Sequence, residues 1–278
     1  MYCWIWERIT MRGAALAFLL VIMGPGMAVA STCYAFVRDI PGVRYATLGP
    51  IASVSPEVKI TFVSHSTFRV ETAEGVVIAT DYFGAHGDGG LPTVVTMNKA
   101  HETHYTDFPD PAIGHVLRGW NPAGGSPAEH KLELRDVVIR NVTTDIRGWG
   151  EPEADGNSIF VFEVADLCIG HLGHLHHVLE EHHYALLGKL DIVMAPVDGV
   201  YTLDLAGMAD VLKRLKARLV LPMHAFGPRS MAQFLDGMRD TFEVRRSDSR
   251  TITVSLETLP TKPTVLLLGN SRVPEDFE

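Results

Sequence analysis

From Val58 the chain sets short β-branched runs between polar turns. VKITFVS, TFRVET and VVIATD are separated by Ser-His-Ser and Glu-Gly turns, the pattern of an antiparallel meander. PTVVTM predicts one further apolar strand. Residues 106–130, with Pro109, Pro111, Pro122, Gly124, Gly125 and Pro127, predict an irregular excursion over the surface. KLELRDVVIRNVTT alternates Leu132 and Leu134 with Val137 and Ile139, so one face is buried and the register changes near Arg135-Asp136. Residues 147–156 predict a polar loop containing Trp149 and Pro152.

The rhythm then changes. NSIFVFEVAD, LCIGHLG, LDIVMAPV, LVLPMH, TITVSL and TVLLLG predict strands. Between them LHHVLEEHHYALLG, LDLAGMADVLKRLKAR and SMAQFLDGMRD predict helices, and the second of these puts Leu205, Met208, Leu212 and Leu215 on one face. Strands alternating with helices imply a sheet covered by helices. No linker divides the halves, so residues 31–278 are expected to form one domain.

Residues 1–30 carry a different pattern. Arg8 and Arg12 precede an apolar core from Ala14 to Met23, Gly24-Pro25-Gly26 breaks it, and Ala28-Val29-Ala30 supplies an A-x-A cleavage site before Ser31. The core is shorter than the roughly 20 residues of a spanning helix. Export to the periplasm or beyond, with no stable membrane anchor after cleavage, is the expectation. Formal charge is −9, and removing a segment that holds Glu7, Arg8 and Arg12 leaves −10. An acidic chain without a basic, aromatic-interleaved run is a poor partner for nucleic acid. Cys33 and Cys168 would remain after cleavage, and their pairing stays open, a buried thiol being the commoner state for Cys168.

The histidines carry the chemistry. Of 13 in the chain, His101 and His104 follow the VVTM run, His171, His174, His176 and His177 follow LCI, and His224 follows LVL. Parallel strands tend to end at one edge of their sheet, so these rings can converge there. Neutral imidazoles in such a cluster suit zinc, and also nickel, copper or iron. By alternation His171 points to the other face of its strand end, while His176 and His177 are expected to begin a helix.

Five marks in order give a resemblance to the metallo-β-lactamase superfamily, nearest its lactonase-like, ascorbate-6-phosphate lactonase type of metal-dependent hydrolase. They are ITFVSHSTFRVET, VVIATDYFG, NSIFVFE, HLGH and LPMHAFG, and the likeness spans roughly residues 58–268. The resemblance implies a four-layer αβ/βα sandwich of two mixed sheets flanked by helices, and a metal-activated water acting on a small ester, lactone, amide or phosphoester. The metal motif departs from H-x-H-x-D-H: Lys99 stands at its first histidine, His101 at the second, Thr103 at the aspartate and His104 at the last. His174 stands where the H-x-G-D turn has its aspartate, His224 is retained, and residues 131–170 hold no histidine.

Placed on this chain, the resemblance implies a single zinc held by His104, His174 and His224, with His101 adjacent or fourth. Lys99 would be a fixed cation at the vacated first position, and His65, Asp81, Thr103 and His171 would line the pocket. Asp81 is placed to orient a ligand imidazole through its second nitrogen. No general base can be chosen among Asp145, Asp198 and Glu102. The alternative is a degenerate member of the superfamily that binds a metal or small ligand without turnover.

Overall fold

The computed structural model describes Cys33, residues 55–148 and residues 151–269. The export segment and Trp149 lie outside the described residues. Two mixed sheets face each other. The first has six strands: β1 (Val58–Ser64), β2 (Thr67–Glu71), β3 (Val77–Ala79), β4 (Val94–Met97), β5 (His115–Arg118) and β13 (Thr251–Val254), in the order β13-β1-β2-β3-β4-β5. The second has eight: β6 (Lys131–Leu134), β7 (Val137–Ile146), β8 (Glu153–Val164), β9 (Leu167–His171), β10 (Ile192–Pro196), β11 (Leu219–Met223), β12 (Glu243–Ser247) and β14 (Thr264–Leu268), in the order β12-β14-β11-β10-β9-β8-β7-β6.

Alternation along the central strands decides which layer each side chain enters. On β8, Phe160 and Phe162 point between the sheets, whereas Ile159 and Val161 point toward the helices. β10 and β11 divide in the same way: Ile192, Met194, Leu219 and Leu221 go inward, and Val193, Ala195 and Val220 outward. Strands buried on both faces read as unbroken apolar runs, which is why LDIVMAPV and LVLPM lack a polar stripe. Phe68, Phe160 and Phe162 are fully buried, each stabilising the sandwich by about 1.5–3 kcal/mol.

Among the described residues, helices α1 (Glu181–Leu187), α2 (Leu205–Leu215) and α3 (Pro228–Met238) pack on the outer face of the eight-stranded sheet. The α2 face predicted from spacing is the buried one, with Met208, Leu212 and Leu215 inward and Leu205 packed at its margin. Loops bearing Tyr105, Ile113 and Trp120 cover Ala79, Val95 and Met97 of the six-stranded sheet. No helix among the described residues is long and apolar enough to cross a membrane.

Three expectations are corrected. The register change at Arg135-Asp136 is a two-residue hairpin turn, with Leu134 opposite Val137 and Arg135 at φ 52°. The loop expected before Asn157 is strand from Glu153 onward, because β7 continues far enough to pair it. His176 and His177 lie in a loop; Leu172, Leu175 and Leu179 are drawn into the core there, and the helix starts only at Glu181, where Glu180 and His183 form a capping box. The open cysteine question closes as well: Cys33 and Cys168 form a disulfide inside the core under the helices, Cα–Cα 5.6 Å. β5 and β12 lack apolar alternation in HVLR and EVRRS, and pattern reading passes over both.

Candidate metal centre

The C-terminal ends of β3, β4, β9, β10 and β11 and the β1–β2 turn meet at one rim of the sandwich. That rim receives Asp81, His101 with His104, His174, Asp198, His224 and His65 respectively. Three of these residues have left-handed backbones: His65 at φ 49°, Asp81 at 42° and His224 at 56°. Non-glycine residues hold this conformation at a cost, and the surrounding structure must enforce it. Here His65 C=O accepts from His224 N–H at 2.9 Å, so two of the strained turns brace each other.

His104 is fully buried. Its Nδ1 donates to Asp81 Oδ2 at 2.5 Å, with Ser66 Oγ 3.0 Å away, and Asn98 Nδ2 holds the other Asp81 oxygen at 2.8 Å. His224 Nδ1 lies 3.0 Å from Asp198 Oδ1, within ion-pair range though off the line of a hydrogen bond. Each carboxylate draws the imidazole proton to the outer nitrogen. The two inner Nε2 atoms, 3.2 Å apart, thus turn lone pairs toward each other. Facing lone pairs in a buried site call for a shared cation.

His65 completes the group. Its buried Nε2 has no hydrogen-bond partner, and donor atoms of His65, His101, His104 and His224 all lie within 4.8 Å of one another. An unpartnered buried ring nitrogen in a group of four imidazoles fits a metal ion, and such a donor set suits zinc or a neighbouring transition metal. His65, expected only as a lining residue, joins the ligand-capable set. Its position in a tight Ser-His-Ser turn, with the strained backbone such a turn imposes, was the available signal.

His174 abuts the group in another way: its Nε2 is 3.1 Å from His101 Nε2, and its Nδ1 is 2.6 Å from His176 Nε2. Thr103 Oγ1 meets His101 Nδ1 at 2.7 Å. His171 is consumed structurally, donating from Nε2 to Ser66 C=O at 2.8 Å and accepting Gly173 N–H at 3.1 Å. Lys99 is no isolated cation: its half-exposed head pairs with Glu153. Repulsion from Lys99 is therefore a weaker bar to a second ion than the loss of donors at Lys99 and Thr103. Of the three acids left open, Glu102 and Asp145 are exposed and only Asp198 reaches the site.

Burial, then the neighbouring rings His224, His104 and His101, hold His65 down at about 3. Burial and then His104 and His224 hold His101 at about 4, and burial followed by Arg147 brings His176 to about 4. His174 is also depressed, by burial first and then by His104. For Asp81, burial works upward, yet His171, His104 and the hydrogen bonds from His104 and Asn98 bring it below the usual carboxylate value.

These depressed histidines make the metal-free protein acid-sensitive. As pH falls below the ordinary 6.5, the unfolded chain takes up protons that folded His65, His101 and His176 refuse until about 3 to 4. Stability is then greatest above 6.5 and declines progressively toward about 4. Solvent around the partly exposed His65 and His101 rings keeps their contributions well under about 1.4 kcal/mol per pH unit. Urea unfolding of chelator-treated protein should show a lower midpoint at pH 5 than at pH 7.5; an equal or higher one would contradict the assignment. For His65 and His101, proton competition with a metal begins well below the pH of about 6 expected of ordinary histidines.

A family model for the beta-lactamase superfamily domain matches residues 59–224, from β1 through His224. The chain belongs to that superfamily. A UPF0173 metal-dependent hydrolase of Salinibacter ruber is 22% identical over 219 residues, covering 69% of this chain and 95% of that protein. A candidate Zn-dependent hydrolase of the metallo-β-lactamase superfamily from Thermotoga maritima superposes with a TM-score of 0.55 at 25% identity, over 76% of this chain and 98% of its own. The metallo hydrolase Igni18 of Ignicoccus hospitalis shares the fold, with a TM-score of 0.50 at 17% identity over 72% of this chain and 99% of its own. Where the resemblance read from the sequence places aspartates, this chain's rim carries a histidine, His174, and a threonine, Thr103.

Proposed function

We propose that the protein is an exported metal-dependent hydrolase, with one zinc per chain, that cleaves a small ester, lactone, amide or phosphoester. The observation that carries this is the pair of facing Nε2 atoms of His104 and His224, each ring backed by a buried carboxylate, with His65 Nε2 unpartnered beside them. Three of His65, His101, His104 and His224 would hold the ion with one position open, and a metal so bound would polarise a carbonyl or phosphoryl oxygen and lower the pKa of water. Asp81 and Asp198 fix ring orientation. Exposed Val200, Tyr201 and Phe226, with the Phe226 ring 5.0 Å from the His224 ring, offer apolar surface to an organic substrate. Among the candidate substrates, a lactone or related cyclic ester is what the lactonase-like sequence marks point to. The A-x-A segment and the core disulfide support export, since disulfides persist in oxidising compartments.

A second reading, metal binding without turnover, has its own observation. Asp81 is taken by His104 and Asn98, and Asp198 by the Val200, Tyr201 and Thr202 amides and the Thr202 hydroxyl, so neither carboxylate at the rim is free to take a proton. Purified mature protein should be assayed for metal and screened against lactones, aryl esters and phosphodiesters with and without chelator. Near-stoichiometric zinc and chelator-sensitive hydrolysis are expected. Metal without turnover on any class would favour the second reading, and no bound metal would reject both.

A further inference from the structure

One chain of histidines runs out of the site, and its direction is imposed from outside. The Arg147 backbone N–H points at His176 Nδ1 from 2.5 Å. A backbone amide only donates, so His176 Nδ1 is the acceptor and a neutral His176 bears its proton on Nε2. That proton goes to His174 Nδ1 at 2.6 Å, leaving a neutral His174 with its own proton on Nε2. It points at His101 Nε2, 3.1 Å away, and His101 in turn carries its proton on Nδ1, toward Thr103 Oγ1 at 2.7 Å. Arg147 is itself anchored, its guanidinium bonding the carbonyls of Tyr201 and Thr202.

We propose that His174 is an N–H donor beside the metal centre rather than one of its ligands, locked in the Nε2–H tautomer by His176 and the Arg147 amide. A ligating His174 Nε2 would need its proton on Nδ1. His176 would then have to accept at Nε2 and carry its proton on Nδ1, facing the Arg147 N–H donor to donor at 2.5 Å. His101 meets no such conflict, because its Nδ1–H is satisfied by Thr103 and its Nε2 keeps a lone pair for the site. Where the superfamily motif has an anionic aspartate, this chain presents an N–H. Once His101 Nε2 is engaged by a cation, that N–H is left to an oxygen of the substrate, carbonyl or anionic.

The inference rests on the four-histidine cluster being a metal centre, and its test separates the two. Histidine tautomers are read by long-range 15N–1H NMR on the metal-free and zinc-loaded protein, and zinc affinity by competition with a chromophoric chelator. His174 should be the Nε2–H tautomer in both states. His174→Ala should keep zinc affinity within about threefold, outside the 10- to 100-fold losses typical of disturbed metal sites. His176→Ala removes the lock, so the Nε2–H form of His174 should no longer be enforced and the Nδ1–H form should appear beside it. His176→Gln, whose amide again donates to His174 Nδ1, should restore the wild-type tautomer. A merely structural His176 would leave the His174 tautomer the same in both variants. An Nδ1–H tautomer at His174 of the wild type, or loss of zinc in His174→Ala, would overturn the proposal. Absence of zinc binding in the wild type would reject the metal centre, while the metal-free tautomer would still decide the lock.

Discussion

Replacing His104 or His224 with alanine should cost at least about 100-fold in metal affinity, enough to leave purified protein empty after dialysis. Each change removes an inner Nε2 from the facing pair and takes one partner from the carboxylate behind it, Asp81 keeping Asn98 and Asp198 keeping its loop amides. Asp81 is fully buried and Asp198 nearly so, and taking one hydrogen-bonding partner from a buried group costs about 1–3 kcal/mol. Unfolding must therefore be followed alongside metal content. Asp81→Asn separates the effects, because it keeps the His104 ring while weakening its orientation, and should lower affinity by about 10- to 100-fold. Elemental analysis of the three variants against wild type decides the matter. Full occupancy in both histidine variants would show that the ligand set is wrong.

How far this site is legible in the sequence depends on what each residue's partner is. His101, His104 and His224 follow apolar strands that end at a common rim, and a strand end is a local pattern. Asp81 is legible for the same reason, as the last residue of VVIATD. His65 is harder. Its turn is visible in Ser-His-Ser, but the orphaned Nε2 exists only once β11 brings His224 beside it, 159 positions along the chain. Lys99 misleads because its partner, Glu153, belongs to the part of β8 whose sequence has the polarity of a loop. His174 and His176 carry the same residue type as the ligands, and only the Arg147 amide, supplied by a different segment, distinguishes their protonation.

The fold is more legible than the site, again for physical reasons. Period-two patterns and the α2 stripe are properties of single elements, whereas β5 and β12 are defined by their neighbours. His115 to Arg118 pairs with β4, and Glu243 to Ser247 pairs with β14, without an apolar alternation of their own. Edge strands need no second buried face, so their sequences are free to look like loop.

Loss of the Cys33–Cys168 bridge should lower stability by about 2–4 kcal/mol, the second large effect expected of this chain. The two residues are 135 positions apart, and tying so long a loop removes much of the unfolded chain's freedom. Native contacts add to this. Cys33 is fully buried among Val193, Leu190 and the helix residues under the eight-stranded sheet, and its carbonyl accepts Lys189 N–H at 2.8 Å. Cys168 sits on β9, just before the His171–His174 segment, so loosening it releases the strand that delivers His174 to the rim. Cys33→Ala together with Cys168→Ala should therefore unfold at clearly lower urea, and the wild type should fall to a similar midpoint in reductant. Metal affinity, by contrast, should change little while the protein stays folded, because His65, His101, His104 and His224 are carried by other strand ends. A midpoint insensitive to both reductant and substitution would mean that the bridge contributes nothing to the fold. It would also remove the physical support that the disulfide lends to an oxidising compartment.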